Sequence, residues 1–118
     1  MEGVRKMQVE DREILIIDFS DCKEAEMINR LIQAMEVVRQ DNKPTLVLNI
    51  FNDKCYATPD FVRTAESAYD EVRPLIKKNA IIGLSDVQKM ILKGFTILGN
   101  RELRNFESFD ESIRFLVE

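Results

Sequence analysis

The stretch TLVLNIF, residues 45–51, is the most strand-like run in the chain. Leucine, isoleucine, valine and phenylalanine fill most positions, and a continuous apolar run of this length is typical of a buried strand. Pro44 ends the helical pattern before it, because proline disfavours helical geometry in its predecessor. The polar loop NDKCYA, residues 52–57, follows it. Thr58-Pro59 then predicts a helix start, with a hydroxyl at the N-cap and proline at the first helical position.

Strand signals recur on both sides of this unit. EILIIDF, residues 13–19, is a second isoleucine-rich run. Asp11-Arg12 forms a turn signal that joins it to a weakly alternating run at residues 4–10, so the pair predicts an antiparallel hairpin. Two shorter runs predict further strands at residues 79–84 and 103–106.

Helix signals alternate with these strands. Three more predicted helices begin with a hydroxyl or carboxylate N-cap followed three positions later by glutamate or glutamine, as in a capping box. These pairs are Asp21 with Glu24, Ser85 with Gln88, and Ser108 with Glu111. Pro74 breaks the helix that starts at Thr58, and Leu75-Ile76 is predicted to begin a short further segment.

Apolar residues spaced three and four apart predict the buried face of each helix. The predicted inward residues are, in chain order, Met27, Ile28, Leu31, Ile32, Met35 and Val38; Phe61, Val62, Ala65, Tyr69 and Val72; Val87, Met90, Ile91, Phe95 and Leu98, before a stop at Gly99-Asn100; and Ile113, Leu116 and Val117.

The predicted order of elements is β-β-α-β-α-β-α-β-α. Strands that alternate with helices require a largely parallel sheet with covered faces, and the hairpin adds an antiparallel edge. We therefore expect an α/β fold, with a mixed, mostly parallel sheet of about five strands and four main helices. The chain of 118 residues is expected to form one domain over residues 1–118, because smaller pieces could not bury a core.

Composition excludes several classes of function. The net charge of −4 argues against nucleic acid as the main partner, and the absence of histidine removes His-dependent triads and imidazole zinc sites. The four glycines are isolated, so the phosphate-binding glycine motifs are missing. No apolar run would span a bilayer, and the charged start is not a signal peptide. We expect a cytoplasmic protein with two free thiols, Cys22 and Cys55, and with no catalytic centre, metal site or cofactor.

The element order and the residues that carry it resemble the STAS superfamily, the SpoIIAA-like fold of anti-sigma-factor antagonists, and more specifically the small stand-alone STAS/SEC14-like bacterial proteins. The matching stretches are EILIIDFSD (13–21), TLVLNIFND (45–53), RPLIKKNAIIGLSDVQKMILKGF (73–95) and NFESFDESIRFLVE (105–118). The resemblance implies a regulatory or protein-interaction domain.

The resemblance also implies a phosphorylation site, which this sequence lacks in its usual form. In the antagonists, a partner kinase phosphorylates a serine of an Asp-Ser-Ser-Gly motif at a helix start. The corresponding residues here are Ala57-Thr58-Pro59-Asp60, so Thr58 falls on the first serine and Pro59 on the phosphoacceptor. We therefore interpret Thr58 mainly as a helix cap and expect the ordinary phosphoswitch to be lost.

The leading hypothesis is a non-enzymatic regulatory module that binds another protein through the loop 52–58 and the helix that begins at Thr58. The candidate interaction residues are Asn52, Asp53, Lys54, Cys55, Tyr56 and Thr58. Phe51 and Tyr56 lie at or beyond a strand end and would extend this surface if both are exposed.

Sequence alone leaves a ligand-binding alternative open. Lys89 and Lys93 share one helix face in a basic segment, and they could form the rim of a pocket for a small molecule or a lipid with an anionic headgroup. The edge strand at residues 4–10 needs protection, which favours a homodimer unless its charged side chains suffice.

Reactive side chains suggest two further alternatives. Cys55 lies beside Lys54 and near a helix start, which can activate a thiol, and a Cys22–Cys55 disulfide is conceivable. Asp18, Asp21 and Asp53 follow strand ends, where a receiver-like protein would hold Mg²⁺, although Asp53 comes two residues too late for the acceptor.

Overall fold

The computed structural model describes residues 3–55, 58–93 and 103–118. Their elements, in chain order, are β1 (Val4–Val9), β2 (Arg12–Asp18), α1 (Glu24–Asp41), β3 (Thr45–Ile50), α2 (Pro59–Val72), a turn of 3₁₀ helix (Arg73–Leu75), β4 (Ile76–Ile82), α3 (Asp86–Lys93), β5 (Leu103–Phe106) and α4 (Phe109–Val117). This is the predicted order. Within the described residues, no helix is long and apolar enough to cross a membrane.

The described strands form one sheet in the order β1-β2-β3-β4-β5. β1 pairs with β2 in antiparallel fashion, with Val4 opposite Ile17, and the other three pairs are parallel. The connections through α1 and α2 step along the sheet in the same direction, and right-handed crossovers place such helices on one face. The predicted mixed, mostly parallel sheet with an opening hairpin is confirmed.

β2 is buried on both faces, which explains its continuous apolar run. Leu15 and Ile17 belong to the larger core cluster, together with side chains of α1 and α2. Ile14 and Ile16 lie on the opposite face, in a smaller cluster with Leu116 of α4. The helices therefore cover both faces, and the ends of the strands are left as the places where the loops gather.

Local hydrogen bonds fix three helix starts where the sequence predicts them. Thr58 Oγ1 accepts the Phe61 N–H at 3.1 Å and caps α2. Ser85 N–H donates to Gln88 Oε1 at 2.8 Å, and Gln88 N–H donates back to Ser85 Oγ at 3.2 Å, which completes the capping box of α3. At the start of α4, the predicted cap accepts in the same way, with 3.2 Å between Ser108 Oγ and Glu111 N.

The start of α1 differs from the prediction. The N-cap is Lys23, whose N–H donates to Glu26 Oε1 at 3.3 Å, and not Asp21. Asp21 lies two residues earlier with a left-handed backbone, φ 61°. It belongs to a turn in which Cys22 N–H donates to Phe19 O at 3.1 Å. The chain needs this turn to change direction after β2, so the helix begins later than the capping-box pattern indicates.

The segment after Pro74 also differs from the prediction. The turn of 3₁₀ helix leads directly into β4, which starts at Ile76 and ends at Ile82 instead of covering residues 79–84. Gly83 ends the strand with φ 84°, and a Cβ at this position would lie 1.9 Å from Phe51 O. Only glycine fits such a close approach of two backbones.

Three of the predicted inward side chains lie at the surface. Ile32, Val87 and Met90 are 51%, 66% and 74% exposed. The apolar spacing of α3 therefore marks a surface in part, because spacing reports a shared helix face and not what covers it. The side chain of Ile91, and Phe95, Leu98, Gly99 and Asn100 as whole residues, lie outside the described residues.

Candidate functional site

Three connections meet at the carboxyl-terminal edge of the parallel strands: the turn 19–23, the loop 51–58 and the turn 83–85. Backbone pairing continues past the strands into these connections, because Phe19 N–H donates to Ile50 O and Phe51 N–H donates to Ile82 O, both at 2.8 Å. Open α/β sheets bind their ligands outside this edge. It is also the edge that carries the loop singled out by the sequence.

Asn52 connects the loop to the turn 19–23 and to α3. Its Oδ1 accepts the N–H groups of Asp21 at 3.0 Å and Lys54 at 3.2 Å, and its Nδ2 donates to Asp21 Oδ1 at 2.9 Å. Its backbone N–H donates to Cys55 Sγ at 3.3 Å, and its carbonyl accepts a hydrogen bond from Gln88. This many internal partners favours a positioning role for Asn52 over direct contact with another molecule.

Gln88 fastens α3 to the loop. Its side chain is 5% exposed, and Nε2 donates to the carbonyls of Asn52 at 2.9 Å and Cys55 at 3.3 Å. The sequence indicates only the capping role of Gln88, since a bridge to a distant loop leaves no local pattern. Because Gln88 also pairs with Ser85, one side chain sets both the helix start and the loop position.

Cys55 is buried, although the sequence suggests an exposed loop thiol. Its Sγ–H donates to Phe19 O at 2.8 Å, and Asn52 Oδ1 lies 3.2 Å from the same sulfur. Burial raises the pKa of the Cys55 thiol, against a smaller lowering effect of nearby backbone N–H groups. The environment that would activate the thiol is therefore missing. Cys22 is also buried, burial likewise raises its pKa, and both thiols are free.

The exposed part of the loop is its tip. Asp53 and Lys54 are both exposed, and neither is held by a salt bridge within the described residues. Tyr56, the aromatic candidate, lies outside the described residues together with Ala57. Of the six predicted interaction residues, Asp53 and Lys54 therefore present free side chains to a partner.

Thr58 uses its hydroxyl twice. Besides accepting the Phe61 N–H, Oγ1 is hydrogen-bonded to Glu24 Oε2 at the start of α1. This contact joins the first turns of α1 and α2. A phosphate on this oxygen would meet the Glu24 carboxylate and the side chain of Asp60 in the same turn.

Phe51 belongs to the core. It is 5% exposed, and its ring centroid lies 5.1 Å from that of Phe19 and 6.3 Å from that of Phe61. The alternative of an exposed Phe51 at the partner surface is therefore wrong. The pleat decides this outcome, because the residue directly after β3 still faces the side that α1 and α2 cover.

The three aspartates at the strand ends do not converge. Asp18 Oδ1 accepts the Ser20 N–H at 2.9 Å, Asp21 pairs with Asn52, and Asp53 is exposed. Within the described ranges, no group of three or more acidic or cysteine side chains could hold a metal ion. The geometry gives no support to the receiver-like alternative.

A buried polar cluster lies between β3, β4 and α2, and the sequence gives no signal for it. Asn49 Nδ2 donates to Asn79 Oδ1 at 2.7 Å and to Ala80 O at 3.0 Å, and Tyr69 Oη–H donates to Asn49 Oδ1 at 3.0 Å. Burial raises the pKa of Tyr69, against a smaller lowering effect of its bonds to the two asparagines.

Lys89 is engaged with an acidic residue. Its Nζ lies 3.1 Å from Glu107 Oε1, just after β5, and the ion pair offsets the charge that an anionic headgroup would need. The Lys93 side chain lies outside what the structure describes. Of the two predicted rim residues, the structure describes the side chain of Lys89 alone, and it pairs with a carboxylate.

Val87 and Met90 are exposed on α3, the helix whose Gln88 bonds to the loop. They flank Gln88 and Lys89 on α3, and Gln88 ties this turn of helix to Asn52 and Cys55. Large exposed apolar side chains that lie next to each other mark contact surfaces more often than single ones do. We use the name loop–α3 surface for Asp53, Lys54, Val87 and Met90.

A cleft of about 400 Å³ lies at the opposite end of the parallel strands, where they begin. Its lining mixes both signs of charge and is held by internal ion pairs, such as Lys6 Nζ to Asp41 Oδ2 at 2.7 Å. The lining residues are Lys6, Gln8, Asp11, Arg12, Glu13, Leu15, Asp41, Lys43, Pro44, Thr45, Leu46 and Lys77.

The element order, the sheet and its two helical layers define a SpoIIAA-like α/β fold, as the sequence resemblance implies. One similar solved structure is an uncharacterised protein of the DUF3478 family with a SpoIIAA-like fold, from Shewanella loihica PV-4. The two chains share 13% sequence identity with a TM-score of 0.66, over 96% of this chain and 91% of the other. Neither a family model nor a curated protein matches this sequence.

Proposed function

We propose that this chain is a one-domain, non-enzymatic regulatory module of STAS type that acts in the cytoplasm by binding another protein. Binding uses the loop–α3 surface and the adjacent start of α2. One observation carries the proposal. Val87 and Met90 are 66% and 74% exposed on a turn of helix that Gln88 holds against the loop.

Rigidity supports a docking role. The hydrogen bonds of Asn52 and Gln88 hold residues 52–55 before any partner arrives, so little ordering entropy is lost there on binding. Lys54 and Asp53 add charge of both signs beside the apolar pair. An apolar centre with a polar rim is the usual anatomy of a protein–protein interface.

The chemistry of the site supports a role without catalysis. Cys55, the nucleophile that the sequence suggests, is buried with a raised pKa and has no base partner among its hydrogen bonds. The side-chain oxygens of Asp21 and Asn52 are also occupied, because Asn52 Oδ1 accepts the Asp21 N–H and Asp21 Oδ1 accepts from Asn52 Nδ2.

We further propose that Thr58 is a structural cap and not a phosphoacceptor. Its hydroxyl is bonded to Glu24, and Pro59 removes one of the N–H donors that would hold a phosphate at this helix start. Mass spectrometry of the protein purified from its own host tests this point. Unmodified Thr58 is expected, and stoichiometric phosphothreonine at this position would contradict it.

The binding test compares variants of the tagged protein in pull-downs from host lysate, followed by affinity measurements with the partner that is recovered. Val87→Asp, Met90→Asp and Lys54→Glu should each release that partner. For residues at the centre of an interface we expect at least about a tenfold loss of affinity. Ile32→Asp is the matched control, since Ile32 is also exposed and apolar but lies on α1. Equal recovery by all four variants would remove the loop–α3 surface from the proposal.

A further inference from the structure

Two buried thiols lie in the connections at the carboxyl-terminal edge of the sheet. Cys22 N–H donates to the carbonyl of Phe19 at 3.1 Å, and the Cys55 thiol donates to the same oxygen at 2.8 Å. These are the two cysteines of the chain, and they come from different connections. One carbonyl oxygen therefore brings both residues together.

The shared oxygen limits the distance between the residues. Cys55 Sγ can lie no further from Cys22 N than the two hydrogen-bond lengths placed end to end. Disulfide partners need Cα atoms about 4.4 to 6.8 Å apart, and two residues that donate to the same oxygen can reach that separation. Both side chains are buried in the same core cluster, which shields the pair from other thiols.

We propose that Cys22 and Cys55 form a redox pair that a peroxide closes to an intramolecular disulfide, which ties the turn 19–22 to the loop 52–55. Cys55, the more exposed of the two, reacts first. Its sulfur attacks a peroxide oxygen and the O–O bond breaks. Water leaves, and Cys55 then carries a sulfenic acid. The sulfur of Cys22 then attacks that of Cys55, the S–O bond breaks, and a second water leaves. Two thiols and one hydrogen peroxide give one disulfide and two waters, with two electrons passing to the peroxide.

Closure changes the hydrogen bonds that hold the loop. In the reduced protein, Cys55 donates to Phe19 O and accepts from Asn52 N–H at 3.3 Å. The disulfide has no S–H, so Phe19 O loses this donor and Asn52 loses the geometry of its sulfur acceptor. Asn52 also holds Lys54 N–H, and the tip of the loop moves with it. The covalent step is independent of the proposed binding function, whereas its effect on a partner rests on that function.

Burial sets the rate of this step. Both thiols have a raised pKa, so little thiolate is present at neutral pH and closure is slower than for a free cysteine. The pair is therefore suited to sustained oxidant exposure and not to a brief pulse.

The test uses the purified full chain. After incubation with hydrogen peroxide, remaining thiols are alkylated and the protein is digested for mass spectrometry. We expect a Cys22–Cys55 cross-linked peptide and the loss of both alkylation sites, reversed by dithiothreitol. The Cys22→Ala variant should instead give sulfenic acid or higher oxides on Cys55. Higher oxides on Cys55 in the unaltered chain, without a cross-link, would overturn the proposal.

An equilibrium measurement covers the case in which Cys22→Ala fails to fold. Glutathione buffers measure the effective concentration of the two cysteine thiols relative to each other. This value should be at least about tenfold higher in the native chain than in the same chain unfolded in urea. An equal or lower value in the native chain would show that the fold does not favour the bond, and would also overturn the proposal. Neither measurement requires a partner protein, so a failed pull-down leaves the redox result intact.

Discussion

Asn52 and Asp21 bond to each other in both directions, across 31 positions of sequence. The Asp21 N–H donates to Asn52 Oδ1 at 3.0 Å, and Asn52 Nδ2 donates to Asp21 Oδ1 at 2.9 Å. An amide side chain can make this pair because it carries a donor and an acceptor on one planar group. The pair fixes the left-handed turn after β2 against the loop after β3.

Asn52→Ala should lower the free energy of unfolding by about 1 to 2 kcal/mol. The Asp21 and Lys54 N–H groups lose their acceptor, and their partial exposure lets water replace part of it. Urea denaturation measures the change, and amide exchange at Asp21 should become faster. Asp53→Ala, one residue away and exposed, is the control and should stay within about 0.5 kcal/mol of the parent. Equal destabilisation by both variants would mean that the reciprocal pair adds nothing.

Gly83→Ala should be far more damaging than Gly3→Ala. Both glycines have positive φ, so alanine strains either backbone by about 1 to 2 kcal/mol. At position 83, the new Cβ would lie 1.9 Å from the backbone oxygen of Phe51, which cannot move without separating β3 from β4. At position 3 it would meet the far end of the Arg30 side chain, which is flexible and can shift, although this disturbs its 2.6 Å bond to Asp18 O. Thermal unfolding of both variants checks this, and a Gly83→Ala protein as stable as Gly3→Ala would contradict the close approach.

The sequence predicts those features of the fold that have a local cause. The strand at 103–106 is confirmed. The caps at Thr58, Ser85 and Ser108 are confirmed as well, because a hydroxyl and an N–H three positions later form a bond within one turn. The predicted cap at Asp21 is wrong, also for a local reason. Its pattern is that of a capping box, but the turn after β2 uses up two more residues before the helix can start.

The position of the site could be predicted from the sequence, but the contacts within it could not. The loop after β3 stands out by composition, whereas the inward position of Cys55 depends on Phe19, a residue of another connection. Likewise, the spacing of Val87 and Met90 indicates one helix face. What covers that face depends on how α3 packs, and Gln88, not these two exposed side chains, is the residue of α3 that bonds to the loop. Contacts between distant segments leave no period in the sequence.

Alkaline pH should destabilise the protein through Tyr69. Burial raises the pKa of this phenol above its ordinary value, so the folded state holds the proton more tightly than the unfolded chain does. Below about pH 10 both states are protonated and the effect is absent. Above it the unfolded chain ionises first, and stability falls by up to about 1.4 kcal/mol per pH unit for this group. Tyr69→Phe should have a shallower decline between pH 10 and 11, measured by urea denaturation, and an unchanged slope would assign the loss to other groups.

Lys78 should stabilise the end of α4, the helix that covers the second face of the sheet. Its Nζ donates to the carbonyls of Phe115 at 2.8 Å and Glu118 at 3.0 Å, and it lies 5.0 Å from the centre of the Phe115 ring. A cation at a helix C-terminus satisfies carbonyls that have no partner within the helix and opposes the negative end of its dipole.

Lys78→Met keeps the apolar stem and removes the charge, so it should cost about 1 to 2 kcal/mol of unfolding free energy, with faster amide exchange in the last turn of α4. Lys77→Met is the matched control: Lys77 is the preceding residue of β4, is exposed, and takes no part in this cap. It should change stability by less than about 0.5 kcal/mol. If the two variants lose the same stability, the general loss of one positive charge accounts for the effect. If Lys78→Met alone is destabilised and exchanges faster in α4, the contacts of the Lys78 ammonium group with the end of α4 are responsible, because Lys77 makes none of them.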